Sequence, residues 1–243
     1  MPRTLPLLAL SGLAGLPAQA IETPAESPPA IDEQPIQAAL PGDQPPNLGT
    51  FRQALDPFGR WTQTEEYGLV WSPGGVAATW RPYSDGRWQY TDQGWAFESS
   101  APWGWATFHY GRWIFRSGRG WLWIPGYVWA PAWVAWRCGG EYVAWAPLGP
   151  DGLARGYYDS PTLWLALRAP FFGLPLRRGY FIPTVQLGLV FRFAPFAGFP
   201  RPGFYFSPHA RYLERHLMRP VRRVPVVRGV PPRFRGGGHR GRR

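Results

Sequence analysis

The chain has 243 residues, and its 26 cationic side chains are all arginine; against 15 acids they leave a formal net charge of +11. A single cysteine, Cys138, excludes an internal disulfide framework, and the four histidines show no metal-ligand spacing. Thirty glycines, thirty prolines and fifteen tryptophans favour many short elements joined by turns over long helices.

Residues 1–20 read as a secretory signal peptide. Arg3 precedes an apolar run from Leu5 to Leu16, and Ala18-Gln19-Ala20 supplies the small-x-small pattern of a cleavage site. This predicts cleavage after Ala20 and a periplasmic or extracellular protein. Ile21 would then begin the mature chain, which argues against a lipid anchor on a terminal cysteine. No later stretch offers the ~20 apolar residues that a membrane-spanning helix needs. Residues 21–50 carry seven prolines and five acids with no aromatic side chain, the composition of a stiff acidic linker with too little apolar surface to fold.

Residues 51–150 hold the main pattern. Fourteen of the fifteen tryptophans lie between Trp61 and Trp145. Gly59-Arg60-Trp61, Gly86-Arg87-Trp88 and Gly111-Arg112-Trp113 open three units, each followed by a second glycine, Gly68, Gly94 or Gly120. Behind that glycine come Leu69-Val70-Trp71, Trp95-Ala96-Phe97 and Trp121-Leu122-Trp123. Third segments at Ala78-Thr79-Trp80, Ala106-Thr107-Phe108 and Val134-Ala135-Trp136 close the units. Alternation at period two within the runs, with turn residues between them, predicts an all-β fold. The expectation is an antiparallel meander of short Trp-rich hairpin repeats with disordered termini.

From Asp151 onward seventeen arginines face three acids, so the positive charge is polarised toward the C-terminal end. Residues 151–230 are predicted to be a Pro/aromatic basic segment packed on the Trp-rich domain. Within it, Ser207-Pro208 resembles a helix start, with a short helix over 209–218 ended by Pro220 and an edge strand over 221–227. Residues 231–243 form an Arg/Gly tail.

Catalytic motifs are sparse. The sequence has no Gly-x-Ser-x-Gly, phosphate-binding glycine loop or dinucleotide fingerprint. The acids Glu65, Glu66, Asp85, Asp92, Glu98 and Glu141 fall mostly at turns, and a spatially formed carboxylate pair leaves a hydrolase as a distant alternative. We therefore expect a non-enzymatic protein without cofactor or metal. Between Trp61 and Trp145 there are 23 aromatics and only nine Leu, Ile or Val, so rings must fill the core. A unit of that size exposes too much surface to hide every ring, which predicts an exposed aromatic patch. Trp88, Tyr90, Trp95, Tyr110, Trp113 and Trp121 are its candidate members. Rings beside polar groups suit the apolar faces of cell-wall sugars; Pro-rich or extended peptides are the alternative ligand. Arg222, Arg223, Arg233, Arg235, Arg240, Arg242 and Arg243 are candidates for contact with anionic polymers or lipid surfaces of the envelope, with nucleic acid disfavoured by export.

The run Trp80-Arg81-Pro82-Tyr83-Ser84-Asp85-Gly86-Arg87-Trp88-Gln89-Tyr90-Thr91-Asp92-Gln93-Gly94-Trp95, with Pro102-Trp103-Gly104-Trp105-Ala106-Thr107, Pro131-Ala132-Trp133-Val134-Ala135-Trp136-Arg137 and Gly140-Glu141-Tyr142-Val143-Ala144-Trp145-Ala146-Pro147, resembles an uncharacterised family of secreted bacterial Trp/Tyr/Gly/Pro-repeat proteins. Some of these carry the unit behind an anti-sigma-type periplasmic sensor domain. The resemblance spans about residues 55–150, with weaker echoes at Tyr212-Leu213-Glu214-Arg215 and Arg222-Arg223-Val224-Pro225-Val226-Val227. It implies an envelope location and a non-catalytic domain of unknown function, and it brings no site residues with it. Residues 1–50 leave no room for such a sensor, which argues against a signalling role.

Overall fold

The computed structural model describes residues 46–150, 155–198, 207–217 and 220–225. The stretch read as a signal peptide, the Pro-rich stretch up to Pro45 and the Arg/Gly tail lie outside these residues. The described part is mostly antiparallel β-structure with short helices. It begins with α1 (Leu48–Leu55), whose Asn47 side chain accepts the Thr50 N–H at 3.0 Å and caps the helix. Phe51 and Leu55 turn inward from it.

Four hairpins follow: β1 (Gly59–Thr64) with β2 (Gly68–Pro73), β3 (Gly86–Thr91) with β4 (Gly94–Ser99), β5 (Arg112–Arg116) with β6 (Gly120–Ile124), and β7 (Val134–Gly139) with β8 (Tyr142–Pro147). The glycine that leads each Gly-Arg-Trp step sits under the end of the opposing strand. A Cβ at Gly59, Gly86 or Gly111 would lie 2.2, 2.1 or 2.2 Å from the carbonyl oxygen of Ser72, Glu98 or Ile124, so only glycine lets the strands close there.

The sheets are not a meander. One has the order β1-β2-β6-β5, which skips the β3–β4 hairpin; that hairpin forms a two-stranded sheet of its own. The other has the order β10-β7-β8-β9, where β9 (Leu165–Arg168) and β10 (Phe196–Gly198) come from beyond residue 150. Two of the three closing segments are not strands. Ala78-Thr79-Trp80 follows the Pro73-Gly74-Gly75 break and folds as a turn, with Trp80 N–H on the Ala77 carbonyl at 2.8 Å. Ala106-Thr107 belongs to the short helix α2 (Gly104–Thr107), which approaches β4 so closely that a Cβ at Gly104 would stand 2.3 Å from Ser99 Cβ.

Tryptophan rows run across the strands. Trp61 pairs with Trp71, Trp71 with Trp123, and Trp123 with Trp113, so one residue from each strand of the first sheet faces the same side. The opposite side of that sheet buries Val70, Ile114 and Leu122. In the second sheet Trp136 pairs with Trp145 and Trp145 with Leu165. Trp88 links the separate hairpin to this sheet, its ring 4.7 Å from Trp136 and 5.5 Å from Trp145. Seven indole N–H groups (Trp71, Trp95, Trp113, Trp123, Trp133, Trp145 and Trp164) donate to backbone carbonyls, which removes the usual cost of burying that donor.

Tyr83 carries a φ of +62°, a rare conformation for an aromatic residue, inside a fully buried site. Its hydroxyl donates to the Phe108 carbonyl at 3.1 Å and accepts from Trp133 N–H at 3.1 Å, while its own carbonyl accepts from Trp145. Burial pushes the phenol pKa up.

Residues beyond 150 cover much of this interior. Phe172 packs edge-on against Trp95 at 4.7 Å, and Trp95 Nε1 donates to the Pro208 carbonyl. Arg81 reaches across to the Trp164 carbonyl at 2.8 Å and Thr184 Oγ1 at 3.0 Å, and desolvation lowers its pKa. The Arg137 guanidinium sits among Phe191, Trp164 and Phe196, closest to Phe191 at 4.3 Å. The last described helices are α3 (Leu187–Phe193) and α4 (Ala210–Leu217). The helix expected over 209–218 starts after Pro208, whose carbonyl serves Trp95. The edge strand expected from residue 221 contributes one parallel bridge, Thr91 with Val224; residues 226 and 227 lie outside the described part.

Candidate functional site

The six ring residues proposed as an exposed platform do not form one. Trp88, Trp95, Trp113 and Trp121 are buried, and Tyr90 and Tyr110 are half-buried. They also separate into two places. Trp88, Tyr90 and Trp95 belong to the β3–β4 hairpin, with Phe172 stacked on Trp88 at 6.0 Å. Trp113 and Trp121 belong to the β5–β6 hairpin, and Tyr110 packs on Phe51 at 5.7 Å. Eleven of the fifteen tryptophans are buried and the other four half-buried. The rings are hidden by one another and, for the β3–β4 hairpin, by segments from beyond residue 150. Phe172 and Pro208, from beyond residue 150, cover Trp88 and Trp95, while Trp113 is packed among Trp71, Trp80 and Phe108.

Of the candidate arginines, Arg222 and Arg223 are described and exposed, and the Arg223 guanidinium lies 5.6 Å over the Tyr90 ring. Arg233, Arg235, Arg240, Arg242 and Arg243 lie outside the described residues.

A different place offers a concave surface. The loop that leaves β2 runs through Gly74-Gly75-Val76-Ala77, with Gly75 in the left-handed region at φ +68°. Two adjoining hollows of about 610 Å³ and about 370 Å³ share Gly74, Gly75 and Trp103. The first continues past Phe58, Gly59 and Arg60 along the start of β1. The second is walled by Trp80, Asp85, Ser99, Ala101 and Phe108.

Trp80 is the half-buried ring in this cleft. Its edge contacts with Trp103 at 5.8 Å and Trp113 at 5.6 Å fix its plane against the core and leave part of it open. On the wall of the same hollow, Ser99 Oγ accepts the Ala101 N–H at 3.0 Å. Exposed Asp85 and Arg60 stand in the two hollows. The cleft therefore pairs an aromatic plane with a hydroxyl, a carboxylate, a guanidinium and a glycine-rich backbone margin. Residues of this kind orient a polar ligand that has one apolar face.

Sequence reading missed the cleft. The Pro73-Gly74-Gly75 cluster ahead of Trp80 is its signal, while the period-two pattern places Trp80 in a strand.

Residues 52–152 match a family of unknown function, DUF6600. This bears out the resemblance to an uncharacterised family. The DUF6600 segment carries the whole cleft and stops short of β9, β10, Trp164 and Phe172. Comparison with curated proteins and with solved structures returns no match.

Other polar groups of the DUF6600 segment are engaged in local structure. Glu98 pairs with Arg87 at 2.6 Å, Glu66 with Arg116 at 2.6 Å and Glu141 with Arg168 at 3.6 Å, all on the surface. Among the described residues no group of three or more His, Cys, Asp or Glu is placed to hold a metal ion. The His109 ring stacks on Trp129 at 5.5 Å and engages the Ala130 carbonyl through Nδ1, and burial holds its pKa below the ordinary value. Burial raises the pKa of the half-buried Cys138 thiol. No helix among the described residues is long and apolar enough to cross a membrane.

Proposed function

We propose that this chain is an exported, non-enzymatic binding module of the bacterial cell envelope, periplasmic or extracellular, that recognises cell-wall glycan in the Trp80–Trp103 cleft. The observation that carries the reading is the partly open Trp80 ring in a hollow of about 370 Å³ alongside Asp85 and Ser99. A pyranose presents an apolar face to an aromatic plane and hydroxyls to its flanks, and the cleft has groups for both. Arg222 and Arg223, with the arginines of the tail, contact anionic groups of the envelope. The three Gly-Arg-Trp hairpins are copies of one Trp-rich unit, used here to build a rigid frame.

A second reading has its own support. β1 lies at the margin of its sheet, and its first residues, Gly59 and Arg60, also line the cleft. An extended peptide could add to that margin and place a proline or aromatic side chain beside Trp103.

Titration of intrinsic fluorescence with soluble peptidoglycan fragments and, separately, with Pro-rich peptides distinguishes the two. Glycan is expected to shift the emission. Trp80→Ala is expected to weaken the response about tenfold, the scale of one lost stacking contact of 1–3 kcal/mol, without unfolding the protein. A response to peptides alone favours the second reading. An unchanged glycan titration in Trp80→Ala overturns the cleft as the site.

A further inference from the structure

The 3₁₀ turn Thr184–Gln186 runs directly into α3. Leu187, Val190 and Ala194 point into the protein from this stretch. Val185, Leu189 and Phe193, spaced four apart, point out of it, with 92 %, 55 % and 56 % of their surface in water. Isolated exposed apolar residues are ordinary, but three on successive turns make a stripe. The folded core does not need them exposed, because the opposite side of α3 already packs.

The chain on either side of the stripe is cationic in sequence. Residues 160–213 contain six arginines and no acid. Arg192 is exposed one turn from Leu189 on the same helix, and Arg177 and Arg178 are exposed on the chain leading to it, while Arg168 is paired with Glu141. A second copy of this chain would bring like charges together across a symmetric contact. An anionic bilayer takes both features at once, apolar side chains at the acyl boundary and guanidinium groups among the headgroup phosphates.

We infer that the Val185-Leu189-Phe193 stripe docks the protein on the surface of an anionic lipid bilayer, as a peripheral contact. The inference rests on the envelope reading only for location, and it does not involve the cleft. It gives the basic C-terminal half a specific partner where charge alone leaves the anionic surface unspecified.

The test uses the full chain and its V185S/L189S/F193S variant with vesicles of phosphatidylglycerol and phosphatidylcholine, and of phosphatidylcholine alone. Because the three side chains are exposed, the variant should keep its melting transition. It is expected to partition onto anionic vesicles about tenfold more weakly than the parent, and the parent should prefer anionic to neutral vesicles. A second measurement places an environment-sensitive fluorophore at Leu189→Cys in a Cys138→Ser background. Its emission should shift blue when anionic vesicles are added and not before.

Equal partitioning of parent and variant would overturn the inference and leave attachment to other segments. So would a fluorophore already shielded in buffer, which would mean that this chain covers its own stripe. A parent that sediments as a dimer and a variant that sediments as a monomer would assign the stripe to a second copy, again overturning it. Glycan titration of the same variant should be unchanged, so failure here and failure of the cleft are separately visible.

Discussion

Trp88→Ala should destabilise the protein by about 3–5 kcal/mol, the range for deleting a large aromatic from a packed core. Trp88 is 1 % exposed and touches Tyr83, Phe97, Trp136, Trp145 and Phe172. Those rings come from β4 of the separate hairpin and the segment leading into it, from the second sheet and from beyond residue 150, so the cavity opens where several parts of the molecule meet. Trp88→Phe should cost much less. Trp88 Nε1 is buried with no hydrogen-bond acceptor among the described residues, and phenylalanine removes that unsatisfied donor while keeping a ring. Thermal and urea unfolding measure both effects. A Trp88→Ala protein with wild-type stability and lost ligand binding would instead make this residue part of a ligand platform.

The second large effect concerns the C-terminal half. A chain ended at Pro150 contains nearly the whole DUF6600 segment, yet it should not fold cooperatively. It lacks β9, which pairs with β8 from Tyr142 to Trp145, and β10, which pairs with β7. It lacks Phe172 over Trp88 and Trp95, and it strips Arg81 and Arg137 of the carbonyl and rings that receive them. Two guanidinium groups and at least four indoles would then face water in a unit with few aliphatic side chains. The expected result is dye binding characteristic of exposed apolar surface and a broad thermal transition. A sharp transition near that of the full chain would show that the DUF6600 segment is self-sufficient.

Local features of the fold were legible in the sequence. Gly59, Gly86 and Gly111 ahead of Arg-Trp marked strand openings, and period two within each run put the paired aromatic rings on one side. What the sequence did not show is non-local. Nothing near Leu69-Val70-Trp71 says that β2 will skip the next hairpin to meet β6, a choice made by Trp71 packing opposite Trp123. The fate of Ala106-Thr107 was likewise set elsewhere, by the contact of Gly104 with Ser99.

The candidate site was misplaced for the same reason. Whether a tryptophan is core or surface depends on what covers it, and the cover for Trp88 and Trp95 lies some eighty to a hundred and ten residues away at Phe172 and Pro208. Trp80 differs because its neighbours Gly75, Val76 and Ala77 leave it only partly covered. The Val185-Leu189-Phe193 spacing was present in the sequence, but helical period alone does not say which side of α3 packs.

Hydrogen exchange of the indole N–H groups, followed by NMR on the labelled full chain, tests most directly the claim that the tryptophan rows are interior and the cleft is the open aromatic surface. The seven indoles bonded to backbone carbonyls should exchange only with global unfolding, and glycan should perturb the Trp80 signal among the rest. Rapid exchange at those seven positions, with glycan-dependent shifts at Trp88, Trp95, Trp113 or Trp121, would contradict it.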